Sequence, residues 1–238
     1  MINVRKSESR GLAHLDWLHS QHSFSFADYH DPKYMGFGPL RVINEDQIEP
    51  GTGFGNHGHQ NMEILSYILE GELSHKDNIG NGSIIRPGEI QRMSAGSGVR
   101  HSENNPSSIS TNHFFQIWIV PEVMNIDPSY EQNIIPLGAR DEKLCLIGSR
   151  DGRGRSVTIH QDIDLYSSIL TPGHTVKYEI FDGRGVWLQL ASGAIEINGV
   201  LLKIGDGVAV TDEVLIEIRA SVKSEFLLFD LGNIHEFF

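Results

Sequence analysis

The 238-residue chain reads as an all-β protein folded into two similar barrels. Three observations predict this. Short runs rich in β-branched and aromatic residues alternate with glycine, proline and asparagine turn clusters along the whole chain. The second half repeats the first in outline, which counts for more than any single strand assignment. The length suffices for two small cores or one large one.

The order of elements supports this. Residues 1–35 are aromatic-rich around Trp17, Phe24, Phe26 and Tyr29 and read as a short strand and turns packed over a core, with His19, His22 and His30 as structural or surface groups. Residues 40–48 alternate as a strand and Pro50-Gly51 closes it. Residues 63–75 read as one strand passing through a bend at Gly71 into the next. Asp77 to Gly82 form a turn cluster, residues 84–93 a further strand and turn, and 94–98 a small-residue loop leading to His101. Residues 114–120 are a β-rich run ending at Pro121. The expected organisation is an N-terminal domain over 1–125, a connector over 126–140 and a C-terminal domain over 141–238 that lacks metal ligands. In the repeat, Pro172-Gly173 stands where Pro50-Gly51 does, and residues 187–197 parallel 65–73 with Gly193 in place of Gly71. An ungapped shift on those glycines puts Glu179 at the place of His57 and Phe181 at that of His59, so the two-histidine pattern is lost. The tail Ile234-His235-Glu236-Phe237-Phe238 reads as structural or mobile.

The chemistry concentrates between Gly51 and Glu103. His57 and His59 are spaced i, i+2, as are His101 and Glu103. On extended strands each pair faces one side, so two facing strands would bring three imidazoles and one carboxylate together. A single His-x-His is a weak signal, because histidine is often only a satisfied polar side chain. A second pair roughly forty residues on strengthens it. Such donors suit a borderline or harder divalent metal and disfavour thiolate or iron–sulfur chemistry. Gly58, between the histidines, weakens a strand unless backbone passes close by, which fits a crowded site.

Composition bounds the rest. Acidic residues exceed basic ones, 31 to 19, for a formal charge of −12, and no dense Lys/Arg cluster offsets it, so direct nucleic-acid binding is disfavoured. No apolar run is long enough for a transmembrane helix. The start, Met1 to Glu8, lacks the apolar core of a secretory signal, and Cys145 is the sole cysteine, so a reducing, cytoplasmic location is expected.

The run from Gly51 to Gly71 resembles the first cupin motif, with a final gap one residue longer than usual, while the second cupin motif is poorly matched. Phe24-Ser25-Phe26 with Asp31-Pro32, then residues 40–44, then Gly53-Phe54-Gly55-x-His57-x-His59-x-x-x-Glu63, then Met93-Ser94-Ala95-Gly96-x-Gly98-x-x-His101-x-Glu103, together resemble the pirin family over residues 1–120. Arg150-Asp151-Gly152 and His160-Gln161-Asp162 resemble its bacterial quercetin 2,3-dioxygenase-like members. Many pirins carry proline where this chain has Gly58. The resemblance implies a bicupin of two RmlC-like double-stranded β-helix (jelly-roll) barrels. It implies one divalent ion held by His57, His59, His101 and Glu103: iron(II) foremost, with Ni2+, Mn2+, Cu2+, Co2+ or Zn2+ open. Glu63 becomes a neighbour that orients a ligand by hydrogen bonding. The implied activity is opening of the flavonol (quercetin) heterocycle with O2 and release of CO, with Glu103 as general base and residues such as Phe54, Met62 or Phe115 against the substrate. The alternative it implies is a metal- or redox-responsive regulatory cofactor that acts through a protein partner. A purely structural metal is disfavoured, because structural sites tend to be closed by protein ligands. The chain is expected to act as a monomer.

Overall fold

Period-two alternation broken by glycine and proline produces strands throughout the computed structural model, which describes residues 1–232 and 234. The expectation for the tail at 235–238 lies outside the described residues. The first half contains β1 (Ile2–Arg5), β2 (Gly11–Leu15), β3 (Leu18–His22), β4 (Leu40–Ile48), β5 (Gly53–His59), β6 (Glu63–Glu70), β7 (Leu73–Asp77), β8 (Gly82–Ile85), β9 (Glu89–Ser94), β10 (Val99–Asn104), β11 (Asn112–Ile119) and β12 (Ser129–Ile134). The second contains β13 (Cys145–Ser149), β14 (Val157–Thr158), β15 (Ile163–Leu170), β16 (Thr175–Glu179), β17 (Gly185–Ser192), β18 (Ala194–Ile197), β19 (Val200–Lys203), β20 (Gly207–Val210), β21 (Leu215–Ala220) and β22 (Ser224–Leu231).

Each half pairs a large sheet with a small one. The first half joins a seven-stranded sheet, β12-β9-β6-β11-β4-β3-β2, to the four-stranded β5-β10-β7-β8. The second joins β1-β20-β17-β22-β15-β13-β14 to β16-β21-β18-β19. The two orders run in parallel, so the halves are copies of one topology, a pair of jelly-roll barrels forming the expected bicupin. Among the described residues no helix is long and apolar enough to cross a membrane.

Strand pairing divides the chain differently from the 1–125, 126–140 and 141–238 expectation. β1 leaves the first half and pairs with β20, from Ile2 opposite Val210 to Arg5 opposite Gly207. The expected connector supplies β12, which pairs with β9 from Ser129 opposite Ser94 to Ile134 opposite Glu89. Edge strands of this kind tolerate weak patterning and nearby prolines, which hid β12 in the sequence.

The large sheets pack face to face. Leu65, Tyr67, Phe115 and Ile117 of the first meet Ile147, Leu165, Trp187 and Phe229 of the second in one buried cluster. Alternation then fixes what points into the first barrel. With 65 and 67 turned to the other sheet, 64, 66 and 68 of β6 face inward, and on β11 so do 114, 116 and 118.

Candidate metal centre

β5 and β10 run antiparallel with His101 directly opposite His57 and Val99 opposite His59. A register shift between His101 and Glu103 marks a bulge, the device that re-aims side chains beside sites. Gly53 makes this approach possible. Its φ is +157° and a Cβ there would stand 2.2 Å from the Glu103 carbonyl oxygen, so no other residue fits without moving β10. Gly58 has no such role. A Cβ there would meet Arg100 at 3.5 Å, an ordinary contact, so the expected crowding around this glycine is absent.

The three imidazoles converge. Ring centroids lie 4.5 Å apart for His57–His101, 4.8 Å for His57–His59 and 4.9 Å for His59–His101, and their nearest ligand nitrogens lie within 4.8 Å of one another. His57 Nδ1 donates to the Gly55 carbonyl at 2.7 Å. This fixes the tautomer and leaves Nε2 with a free lone pair. Both ring nitrogens of His101 are buried without a hydrogen-bond partner. Burial, followed by the charges of His101 and His57, lowers His59 to about 4, and burial, followed by His57 and His75, lowers His101 to about 3. Both are therefore neutral at pH 7, the state that binds metal. The unpartnered imidazole of His101, converging with the edge-on and tilted rings of His57 and His59, fits a divalent ion, which would satisfy nitrogens otherwise costly to bury.

Glu103 is 2% exposed and pointed inward. Its Oε2 accepts from Gln116 Nε2 at 2.7 Å and its Oε1 from Ser66 Oγ at 3.3 Å. It falls into a second group of convergent donor atoms with His101 and His75, again within 4.8 Å, so His101 is common to both groups. His75 is buried, pairs in register with Glu103, and contacts Asp77 through Nε2 at 3.2 Å. Sequence reasoning passed over it. The available signal was a histidine at an inward position of β7, two residues after the buried Leu73.

Glu63 does not orient a site histidine. Its Oε2 accepts from Ser94 Oγ at 2.9 Å and contacts His160 Nδ1 at 3.2 Å, with Arg92 Nε 4.0 Å away. Like Leu65 and Tyr67, it faces the other barrel, because residues of odd number on β6 point away from the first barrel's interior. Its work is to tie the halves together.

Beside the histidines lies a cavity of about 350 Å³ whose wall includes His57, His59, Glu103, Phe54, Phe26 and Trp118. The Trp118 ring stands edge-on to His59 at 4.8 Å. Of the three side chains expected near substrate, only Phe54 lines this cavity. Met62 packs on a small core of Ile64, Met93 and Val99, and Phe115 belongs to the inter-barrel core. His22, expected to be structural or on the surface, is 3% exposed and lines the cavity. Asp46, also on the wall, is pushed up to about 7 by burial, with the charges of Glu103 and Glu45 adding to the shift against a hydrogen bond from Ser20.

A larger cavity of about 890 Å³ opens on the second barrel. Most of its ionic groups are already paired: Arg184 with Asp230 and Asp162, Arg153 with Asp164 and Asp151, Arg150 with Glu122 and Lys177 with Glu217. Size therefore does not select it as the reactive site.

The family model described as Pirin matches residues 3–119, and that described as Quercetinase C-terminal cupin domain matches 146–231. A protein of Escherichia coli O157:H7 named quercetin 2,3-dioxygenase is 49% identical over 231 residues, covering 97% of this chain and 99% of its own length. A pirin-like protein of Caulobacter vibrioides is 38% identical over 231 residues, covering 97% and 99%. The crystal structure of the bacterial pirin YhhW from Escherichia coli, in complex with nickel(II), superposes with a TM-score of 0.94 at 47% identity, covering 98% of this chain and 100% of that one.

Proposed function

The chain belongs to the pirin family, and we propose that it is a metal-dependent dioxygenase that opens the heterocyclic ring of a flavonol of the quercetin type with O2 and releases carbon monoxide. The observation that carries this reading is the walled cavity, which shares His57 and His59 with one convergent donor group and Glu103 with the other, His101 being common to both groups. A protein–protein switch would need no such enclosure. The names of the full-length relatives point the same way.

His57, His59, His101 and Glu103 would hold one divalent ion, with nickel(II) supported by the relative's complex and iron(II) by the donor set. When bound, such an ion supplies Lewis acidity and lowers the pKa of a hydroxyl brought to it. The remaining tasks fall to the chain. Phe26, Phe54 and Trp118 line the cavity with apolar ring surface against which a flat aromatic would pack, excluding water. Glu103 takes the proton of the flavonol 3-hydroxyl as general base. Its Oε1, with the longer bond to Ser66, is the freer oxygen, while Gln116 anchors Oε2. Gly55 keeps His57 in the tautomer that presents Nε2. O2 supplies two oxygen atoms to the product, and one ring carbon leaves as carbon monoxide. The free Cys145 fits a reducing compartment such as the cytoplasm.

The test is O2 uptake and carbon monoxide release on mixing quercetin with protein loaded separately with nickel(II), iron(II), manganese(II), copper(II) and cobalt(II). Equimolar loss of flavonol and O2 with at least one ion is expected. No turnover with any ion, and no anaerobic shift of the flavonol absorption band, would reject the reading.

A further inference from the structure

The cavity wall made by β3, β4 and β11 is polar where a barrel interior is ordinarily apolar. Ser20 and His22 on β3 stand opposite Asp46 and Asn44 on β4, and Gln116 on β11 stands opposite Asn44. All five line the cavity and none is more than 7% exposed. Period-two alternation puts them on one face. At the usual spacing of neighbouring strands, the row Gln116, Asn44, His22 runs about 10 Å across the wall, starting beside Glu103. At the corresponding places in the second barrel, set by the same strand pairings, stand Tyr166, Ser168 and Leu228 in place of Asn44, Asp46 and Gln116.

This wall is short of donors. Gln116 gives Nε2 to Glu103, and its Oε1 is buried without a partner. Asn44 Oδ1 is likewise buried and unpartnered, as is His22 Nδ1. Asp46 accepts a hydrogen bond from Ser20 on Oδ1, and among the described residues nothing donates to its other oxygen. Trp118 Nε1, also lining the cavity, is a buried donor with no acceptor. Native interiors leave few such atoms unpaired, and a cluster of them on one cavity wall marks a place completed by a guest. The guest must bring several O–H donors and at least one oxygen acceptor on a flat frame.

We propose that Asn44, Asp46 and Gln116 form a hydroxyl-recognition subsite, accepting hydrogen bonds from O–H groups on the rings of a polyhydroxylated flavonol and selecting it over a flavonol that carries only the 3-hydroxyl. This rests on the flavonol reading above and adds to it the substrate feature that is read. A site built to pair a substrate hydroxyl discriminates strongly against the analogue without it, because its own buried groups are then stranded.

The experiment compares kcat/KM of the metal-loaded protein for quercetin and for 3-hydroxyflavone. The native protein should prefer quercetin at least tenfold. Asn44→Leu should lower that preference about tenfold, chiefly through KM for quercetin, and Asp46→Asn about threefold. Asp46→Asn keeps size and shape, so it decides the matter alone if Asn44→Leu fails to fold. An unchanged preference in a folded, metal-loaded variant would overturn the subsite. A native protein that turns over neither compound removes the dioxygenase reading only. The subsite is then judged by anaerobic dissociation constants for the two compounds, read from tryptophan fluorescence. Tighter quercetin binding that both variants weaken supports it, and equal binding of the two compounds overturns it.

Discussion

The two barrels share one topology and differ in what fills them. In the second, one continuous apolar cluster that includes Leu188, Leu190, Ile197, Ile216, Ile218 and Leu228 occupies the interior. In the first, the apolar interior splits into an end built on Ile48, Ile68, Leu73 and Phe114 and another on Ile64, Met93 and Val99, with the polar site between. Strand pairing gives the correspondence. With Gly71 and Gly193 equivalent, Ser66 answers to Leu188, His75 to Ile197 and Gln116 to Leu228. The partners of those strands then set Glu103 against Ile218, His101 against Ile216 and His57 against Tyr178. The ungapped shift, which put Glu179 and Phe181 at the histidine positions, is out by one residue. Phe181 is 70% exposed, while Ile180, the inward counterpart of His59, is 6% exposed. One scaffold thus carries a barrel whose interior stabilises the fold and another whose interior has given up apolar burial to hold donors.

If that division is right, matched substitutions in the two barrels should fail in different ways. The largest contrast is between His101→Ala and Ile216→Ala. The first should lower kcat/KM by about 1000-fold or more with loss of bound metal. The second should cost about 2–5 kcal/mol of stability by leaving a cavity, with metal content unchanged. Metal analysis and denaturant melts separate the two. A charge swap sharpens this. Ile218→Glu buries an unpartnered carboxylate and should cost about 3–5 kcal/mol, whereas Glu103→Leu should change the stability of the metal-free protein far less and abolish turnover after metal loading. Gln116→Leu, which copies Leu228, removes the donor to Glu103 Oε2 and should reduce turnover about 10- to 100-fold.

Acid should act on the first barrel. The unfolded chain protonates its histidines near 6.5, whereas His59 and His101 resist protonation down to about 4 and about 3 because burial disfavours their charged forms. Between those values the unfolded state binds more protons, so stability is full above 6.5 and is lost as pH falls through this window. The Tm of metal-free protein should drop by several degrees between pH 7 and pH 4.5, and by less in His101→Leu. The smallest expected effect is that of Gly58→Ala, within about 0.5 kcal/mol, since its side chain would meet only ordinary contacts.

Much of this was legible in the sequence because side chains alternate on strands. The spacing of His57 with His59 and of His101 with Glu103 placed each pair on one face, and the repeated glycine-centred strands predicted two barrels. What escaped notice depended on which face a strand turns to which neighbour. Glu63 has the spacing of a ligand partner, yet it points to the other barrel and holds Ser94 and His160. His75, Asn44, Asp46 and His22 carry no local motif, and only strand pairing brings His75 beside Glu103 and the other three to the cavity wall. β1 crosses to the second sheet through a pairing with β20 about two hundred residues away, and β12 closes the edge of the first sheet against β9, which no local pattern encodes.

The central claim is that the first barrel alone binds one ion through side chains distant in sequence. Calorimetric titration of metal-stripped protein with nickel(II) tests it most directly. The account predicts one ion per chain in the native protein, unchanged by Tyr178→Phe in the second barrel and lost in the His57→Ala/His59→Ala double variant. Retention of one ion with native affinity in that double variant, or two ions in the native protein, would contradict it.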